Sequence, residues 1–341
     1  MRRREFITFL GTSLGTSLGT SLGASFGGIA VGWPLAATAQ HVAKNWKIGV
    51  LHPGQAAAVD ARITAIREGL NRPDSQASGL ELVVRLADGN LSRLPALATE
   101  LVNDRVDVIV AAGPPAVQAA SGATATTPVI AIDLESDPVA IGFIASLARP
   151  GRNITGVFLD FPDFSAKCLQ LLIESVPALA GVGVLWDPTT GSQQLDEVKR
   201  AAQGLSVRVE VFEARRVADV ADAFYALDAA RIQGVVVLSS PLFGGNPQMV
   251  ADLAIKRNVP TISLFPDIAR EGGLLAYGPD IQGLYRQAGA MARTVLDGAR
   301  PAETPAERPT RFQLVANLRT AKRLGITLPT SILLRADETI E

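Results

Sequence analysis

The pattern that most restricts this chain is a recurrence. Short apolar, β-branched runs separated by helical stretches occur once in the first half and again, in the same order, in the second. Ile48-Gly49-Val50-Leu51-His52 is matched by Val182-Gly183-Val184-Leu185-Trp186, 134 residues later. Val108-Ile109-Val110, ahead of Gly113-Pro114, is matched at an offset of 127 by Val235-Val236-Val237, ahead of Ser240-Pro241. Pro128-Val129-Ile130-Ala131-Ile132 is matched by Pro260-Thr261-Ile262-Ser263-Leu264 at an offset of 132. One such match means little, because apolar strands look alike. Three in order, at nearly constant spacing, predict two similar lobes.

Within each half the runs alternate with helical patterns, which predicts a parallel α/β sheet. Strands are expected at 47–51, 80–86, 106–111 and 128–132, then at 182–186, 207–212, 234–238 and 260–264. Helices are expected near 57–70, 93–103 and 115–121, then near 164–176, 192–204, 217–230 and 247–257. The pattern breaks around Arg149-Pro150-Gly151-Arg152, where the second series begins. In an open parallel sheet, ligands bind beyond the carboxyl ends of the strands. Two lobes facing one another with those edges form a cleft that hinge closure can bury.

The first 39 residues read as an export leader. Arg3-Arg4-Glu5-Phe6-Ile7 has the form of a twin-arginine signal. A weakly apolar stretch with a tandem Thr-Ser-Leu-Gly unit follows, and Ala37-Thr38-Ala39 offers small residues for cleavage after Ala39. About 300 residues then remain, enough for two domains. The 32 Lys plus Arg nearly balance the 33 Asp plus Glu, which argues against nucleic acid as a partner. Cys168 is the single cysteine, so neither an intramolecular disulfide nor a thiolate metal site can form. It falls in an apolar helical stretch, and no lipid-anchoring cysteine stands at the cleavage point. His52 and His41 are the two histidines, with no partner for a metal.

One set of motifs comprises Arg3-Arg4-Glu5-Phe6-Ile7, Trp33-Pro34-Leu35-Ala36, Arg93-Leu94-Pro95-Ala96-Leu97-Ala98 and Arg149-Pro150-Gly151-Arg152-Asn153-Ile154-Thr155-Gly156-Val157. A second comprises Tyr277-Gly278, Tyr285-Arg286-Gln287-Ala288-Gly289, the run 309–318 and Arg335-Ala336-Asp337-Glu338. Together these closely resemble the substrate-binding proteins of ABC transporters, in the family that includes the tryptophan-binding members. The resemblance covers essentially the whole chain. It implies the type I periplasmic-binding-protein fold, an α/β architecture of two doubly wound parallel-sheet lobes joined by three crossings. By analogy the crossings fall near Gly151–Thr155, near Tyr277–Asp280 and after the Pro-rich 301–309 segment. Lobe 1 is then 46–152 plus 278–305, and lobe 2 is 153–277 plus 310–341. The resemblance further implies a periplasmic, monomeric carrier without cofactor. Such a carrier would deliver a small organic ligand, an amino acid or aromatic acid, to an inner-membrane ABC permease with its ATPase.

Candidate contacts are then the residues just past each strand. His52 can supply a hydrogen-bonding wall. Gly113-Pro114 opens a helix whose free N–H groups can receive a carboxylate. Asp133, Glu135 and Ser136 follow the fourth strand, and one carboxylate could take a ligand ammonium. Asp137-Pro138 reads instead as a helix cap. Trp186 and Asp187 could sandwich a flat or cationic solute. Ser240 offers a hydroxyl, and Phe243, Phe265 and Tyr277 add aromatic surface at expected cleft edges. Family members often carry small polar residues after the first strand and an Asn-rich turn after the equivalent of Leu185. Here His52-Pro53-Gly54 and Asp187-Pro188-Thr189-Thr190-Gly191 stand there, so ligand identity does not carry over.

Two rival functions fail on sequence. An enzyme on paired nucleotide-binding lobes would want G-x-G-x-x-G after a strand, and Gly181-Val182-Gly183 enters a strand instead. A transcription regulator would carry a helix-turn-helix where this chain has a leader. A periplasmic sensor presenting ligand to a membrane receptor needs the same cleft and stays open as an alternative.

Overall fold

The computed structural model describes residues 45–71, 79–159 and 164–341. The leader, the cleavage point after Ala39 and His41 lie outside the described residues. Among those described, no helix is long and apolar enough to cross a membrane.

The first lobe is a five-stranded parallel sheet of β1 (Trp46–His52), β2 (Leu80–Leu86), β3 (Val108–Ala112), β4 (Val129–Asp133) and β5 (Ile154–Phe158). Its spatial order is β2-β1-β3-β4-β5. Helices α1 (Ala56–Leu70), α2 (Leu94–Asn103) and α3 (Pro114–Ala123) connect the strands. β3 and β4 are buried at every position, as expected of strands covered on both faces. β2, at the edge, is only partly covered.

The second lobe begins with α4 (Phe164–Ser175), β6 (Gly181–Trp186), α5 (Gln193–Leu205), β7 (Arg208–Glu213) and α6 (Val217–Ala226). It continues through β8 (Gly234–Val237), α7 (Pro241–Gly244), α8 (Pro247–Lys256), β9 (Thr261–Ser263), α9 (Pro266–Arg270) and β10 (Leu275–Pro279). After the long helix α10 (Ile281–Leu296) come β11 (Phe312–Asn317), α11 (Leu318–Arg323), α12 (Thr330–Leu333) and β12 (Glu338–Ile340). The sheet runs β12-β11-β10-β9-β8-β6-β7, with β11 antiparallel to β10 and the other pairs parallel. Its β7-β6-β8-β9-β10 portion repeats the order of the first sheet. β1 and β6, the strands 134 residues apart, therefore hold the same place in their sheets, as do β3 with β8 and β4 with β9.

α10 leaves the second lobe and packs against α1 and the first sheet. The two helices meet backbone to backbone. A Cβ on Gly69 would lie 1.9 Å from the Arg286 carbonyl oxygen, and one on Gly289 would lie 2.2 Å from that of Ile66. The apolar core is continuous from Val50 and Ile130 of the first sheet to Leu264 and Phe265 of the second. Separate clusters fill the outer faces of each lobe.

The first crossing differs from the expectation. Ile154–Phe158, which includes Thr155, is not a linker but the fifth strand of the first sheet, paired in register with β4. Leu159 still donates its N–H to the Asp133 carbonyl, and the chain leaves the first sheet beyond it. The Pro-Gly punctuation at 150–151 only introduces this strand. The returning segment runs along the same strand: Gly151 N–H donates to Ala302 O, and Glu307 pairs with Gly156 and Phe158. The chain thus stays with the first lobe to residue 307, two residues past the expected limit. The strands β5, β10, β11 and β12 are not among those the sequence pattern predicts.

Candidate functional site

The carboxyl edges of the two sheets meet directly. Ser239, just past β8, donates its hydroxyl to Glu135 Oε1 at 2.7 Å, and Glu135 lies just past β4 in the other lobe. Arg62 of α1 reaches across to donate from Nη2 to the Gly244 carbonyl at 2.9 Å. Gly113 takes φ +80° ahead of α3, and Pro241 lies so close that a Cβ there would come within 2.6 Å of the proline ring. Glycine alone satisfies both demands.

These contacts border a small cavity of about 30 Å³ lined by His52, Arg62, Gly113, Glu135, Phe265 and Tyr285, with Ile132, Leu134, Ile281 and Pro241 adding apolar wall. A second cavity of about 40 Å³ shares Pro241 and is lined by Gly54, Asp187, Arg215 and Leu242. A more open groove of about 530 Å³ lies between Pro114-Pro115 and Ser136–Phe143 on one side and Thr189–Gln193 on the other.

The inner cavity has a guanidinium at one end and a carboxyl group at the other. Arg62 is 7% exposed, and among the described residues no carboxylate lies within ion-pair distance of it. Its guanidinium carbon sits 5.6 Å from the Tyr285 ring centroid. Glu135 is buried, with Oε2 accepting from the Leu134 N–H at 3.1 Å. Burial first, and then the charge of Asp133, push its carboxyl up to about 8. His52 Nδ1 accepts from the Gly54 N–H at 2.8 Å, while Nε2 lies 3.3 Å from both the Tyr285 hydroxyl and Arg62 Nη1. Burial, aided by Arg62, holds this imidazole down to about 3, so it stays neutral. Burial likewise keeps the Tyr285 phenol protonated, raising it above its usual range.

Of the residues proposed from sequence, His52, Gly113, Glu135 and Phe265 come together at this cavity. Asp187 lines the second cavity, with its oxygens engaged by Ser240 Oγ at 2.5 Å and by Thr189. Ser240, by the same bond and by accepting from Leu242 N–H, caps α7. Pro114 and Ser136 line the outer groove. The other four serve the scaffold. Asp133 is fully buried and folds back on its own loop, accepting from the N–H groups of Glu135 and Ser136 and from the Ser136 hydroxyl. Trp186 packs on the outer core of the second lobe and donates its indole N–H to Gly191 O. Phe243 is wholly within the core. Tyr277 stacks on Phe164 at 5.3 Å between centroids and approaches Phe312 at 6.1 Å.

Arg62 and Tyr285 escaped the sequence reading, although a signal for each is present. Arg62 sits at helical spacing from Val59 and Ile66 on the apolar stripe of α1, where a charge needs a reason. Tyr285 lies on the equivalent stripe of α10, between Ile281 and Ala288.

Comparison with known proteins places this geometry in context. A family model described as ABC transporter substrate binding protein matches residues 47–340. A tyrosine-binding protein of Clostridioides difficile is 26% identical over 242 residues, covering 70% of this chain and 69% of that protein. An ABC domain from Streptococcus pneumonia, solved in complex with L-Trp, superimposes with a TM-score of 0.79 at 25% identity, over 87% of this chain and all (100%) of that one. The ligand-free, open structure of a Clostridium difficile substrate-binding protein gives 0.61 at 23% identity, again over 87% and 100% of the two chains.

Proposed function

The chain belongs to the ABC transporter substrate-binding protein family, and from that premise we propose that its solute is an α-amino acid held as a zwitterion in the inner cavity. The observation that carries this reading is the pairing of Arg62 and Glu135 in one enclosed space. A ligand carboxylate suits the guanidinium, which lacks an anionic neighbour among the described residues, and a ligand ammonium suits Glu135. Phe265, Ile281 and Ile132 offer apolar surface to a side chain. At about 30 Å³ the cavity falls well below the roughly 300–1,000 Å³ common for small-ligand sites, so the lobes must part to admit the ligand side chain. The amino acids named for the two relatives above support the same class.

Closure then follows from binding. Glu135 and Ser239 belong to different lobes, as do Arg62 and Gly244, so a ligand that fixes Glu135 and Arg62 also fixes the lobe contacts they make. The loaded, closed form is what an inner-membrane permease with its ATPase would receive. The leader read in residues 1–39 supports release into the periplasm. The reading involves no catalysis: the Cys168 thiol is buried and pushed up to about 12.

A thermal-shift and calorimetric screen of the refolded chain from Gln40 onward tests the ligand class. α-Amino acids are expected to raise the melting temperature, since a hundredfold excess over Kd adds about 2.7 kcal/mol of stability. Their deaminated analogues and amides are expected to bind far more weakly. If no amino acid stabilises the protein, the proposed ligand class is wrong.

A further inference from the structure

The hydrogen-bond polarity of the inner cavity is fixed by one backbone contact. The Gly54 N–H can only donate, and at 2.8 Å it points at His52 Nδ1, which must therefore present its lone pair. A neutral imidazole then carries its hydrogen on Nε2. That hydrogen has the Tyr285 oxygen as its acceptor at 3.3 Å. Arg62 Nη1, also 3.3 Å from Nε2, meets an N–H rather than a lone pair, so no guanidinium hydrogen is spent on the histidine. The phenol oxygen, already accepting from His52, has its own hydrogen left to donate. Both groups thus turn hydrogens toward the cavity they line.

We propose that His52 is a positioning residue that makes the Arg62–Tyr285 end of the cavity a seat of donors only, and so selects a ligand carboxylate over a carboxamide. The inference rests on the amino-acid reading above. A carboxylate offers acceptors alone and matches both donors. A carboxamide must turn its NH₂ against one of them, leaving a buried donor without an acceptor. Without the His52 N–H, the Tyr285 hydroxyl can rotate and accept from the amide, and the discrimination falls. His52 acts through Tyr285 and need not touch the ligand.

The test compares Kd for L-tryptophan with L-tryptophanamide, and L-tyrosine with L-tyrosinamide, in the wild type, His52→Leu and His52→Gln. The expected result is an acid-to-amide preference that narrows about tenfold or more in His52→Leu, the size of one unsatisfied buried hydrogen bond. Glutamine keeps an N–H within reach of Tyr285 and is expected to restore most of the preference. An unchanged ratio in His52→Leu, or equal weakening of both ligands, would overturn the role. A second measurement needs neither ligand nor variant. The chain has 2 histidines, so imidazole ¹⁵N spectra of the untagged protein are readily assigned. They should show one neutral Nε2–H tautomer that does not titrate between about pH 5 and 8. An Nδ1–H tautomer of His52, or titration of His52 in that window, would refute the inference even if the wild type binds amino acids well. A wild type that binds none, with the tautomer as expected, would instead count against the ligand class.

Discussion

Arg62 and Phe265 make the inner cavity specific in different ways. Arg62 brings a charge that water no longer solvates, so its environment favours an anion. Phe265 brings a flat apolar face, held by its position at the start of α9, where its N–H is fixed by the Ser263 hydroxyl at 2.8 Å. Trp186, its apparent counterpart on the other strand end, instead has its indole tied to Gly191. Substituting the two separately therefore has unequal effects. Phe265→Ala should weaken amino-acid binding by about tenfold or more, since an aromatic face contributes on the order of 1.5–3 kcal/mol when buried. Trp186→Ala should lower stability while changing Kd by less than about threefold, a few tenths of a kcal/mol. Calorimetric titration alongside urea unfolding separates the outcomes, and equal losses of affinity would put Trp186 in the ligand wall.

At the scale of elements, the α1–α10 contact is the tightest joint that bears on the site, because α1 carries Arg62 and α10 carries Tyr285. Gly69 and Gly289 let the two backbones approach, and neither can gain a methyl without moving the opposite helix. Gly289→Ala should destabilise the protein by about 1–3 kcal/mol, the usual cost of overpacking, and weaken ligand binding by separating Arg62 from Tyr285. Gly204→Ala in α5 is the control. Nothing lies within 4 Å of its Cβ position, so helix propensity should add stability of up to about 1 kcal/mol. Chemical denaturation of both variants checks the pair, and a neutral Gly289→Ala would mean that the helices give way without strain.

Closure of the whole molecule is linked to protons through Glu135. Exposed in an open cleft, this carboxyl would titrate near its ordinary 4.5; in the closed one it is pushed up to about 8. The closed, empty form therefore binds more protons across that window, and closing it becomes less favourable as pH rises from 4.5 to about 8, then levels off. A bound ammonium removes the penalty by pairing with the ionised carboxylate. Small-angle scattering of the empty protein should show expansion between about pH 5 and 8.5, and the amino-acid complex should not. Identical curves for the empty protein at both values would remove Glu135 from the closing equilibrium. The same scale separates what the sequence determined from what it did not. Apolar periodicity and turn chemistry are local, so the two α/β series, most strand and helix positions and the repeat itself could be read directly from residues such as Val108–Val110 and Gly113-Pro114. β5 was missed because the Pro-Gly turn ahead of it looked like a linker, and only pairing with β4 makes Ile154–Phe158 a strand. His52, Gly113, Glu135 and Phe265 could be named because strand ends are local features too. Arg62 and Tyr285, 223 residues apart along the chain, reach the cavity from two helices whose shared packing puts both beside His52. The hydrogen-bond polarity of the cavity and the raised pKa of Glu135 arise from burial between lobes. Such properties belong to the assembled dielectric and its contacts, which only the tertiary structure decides.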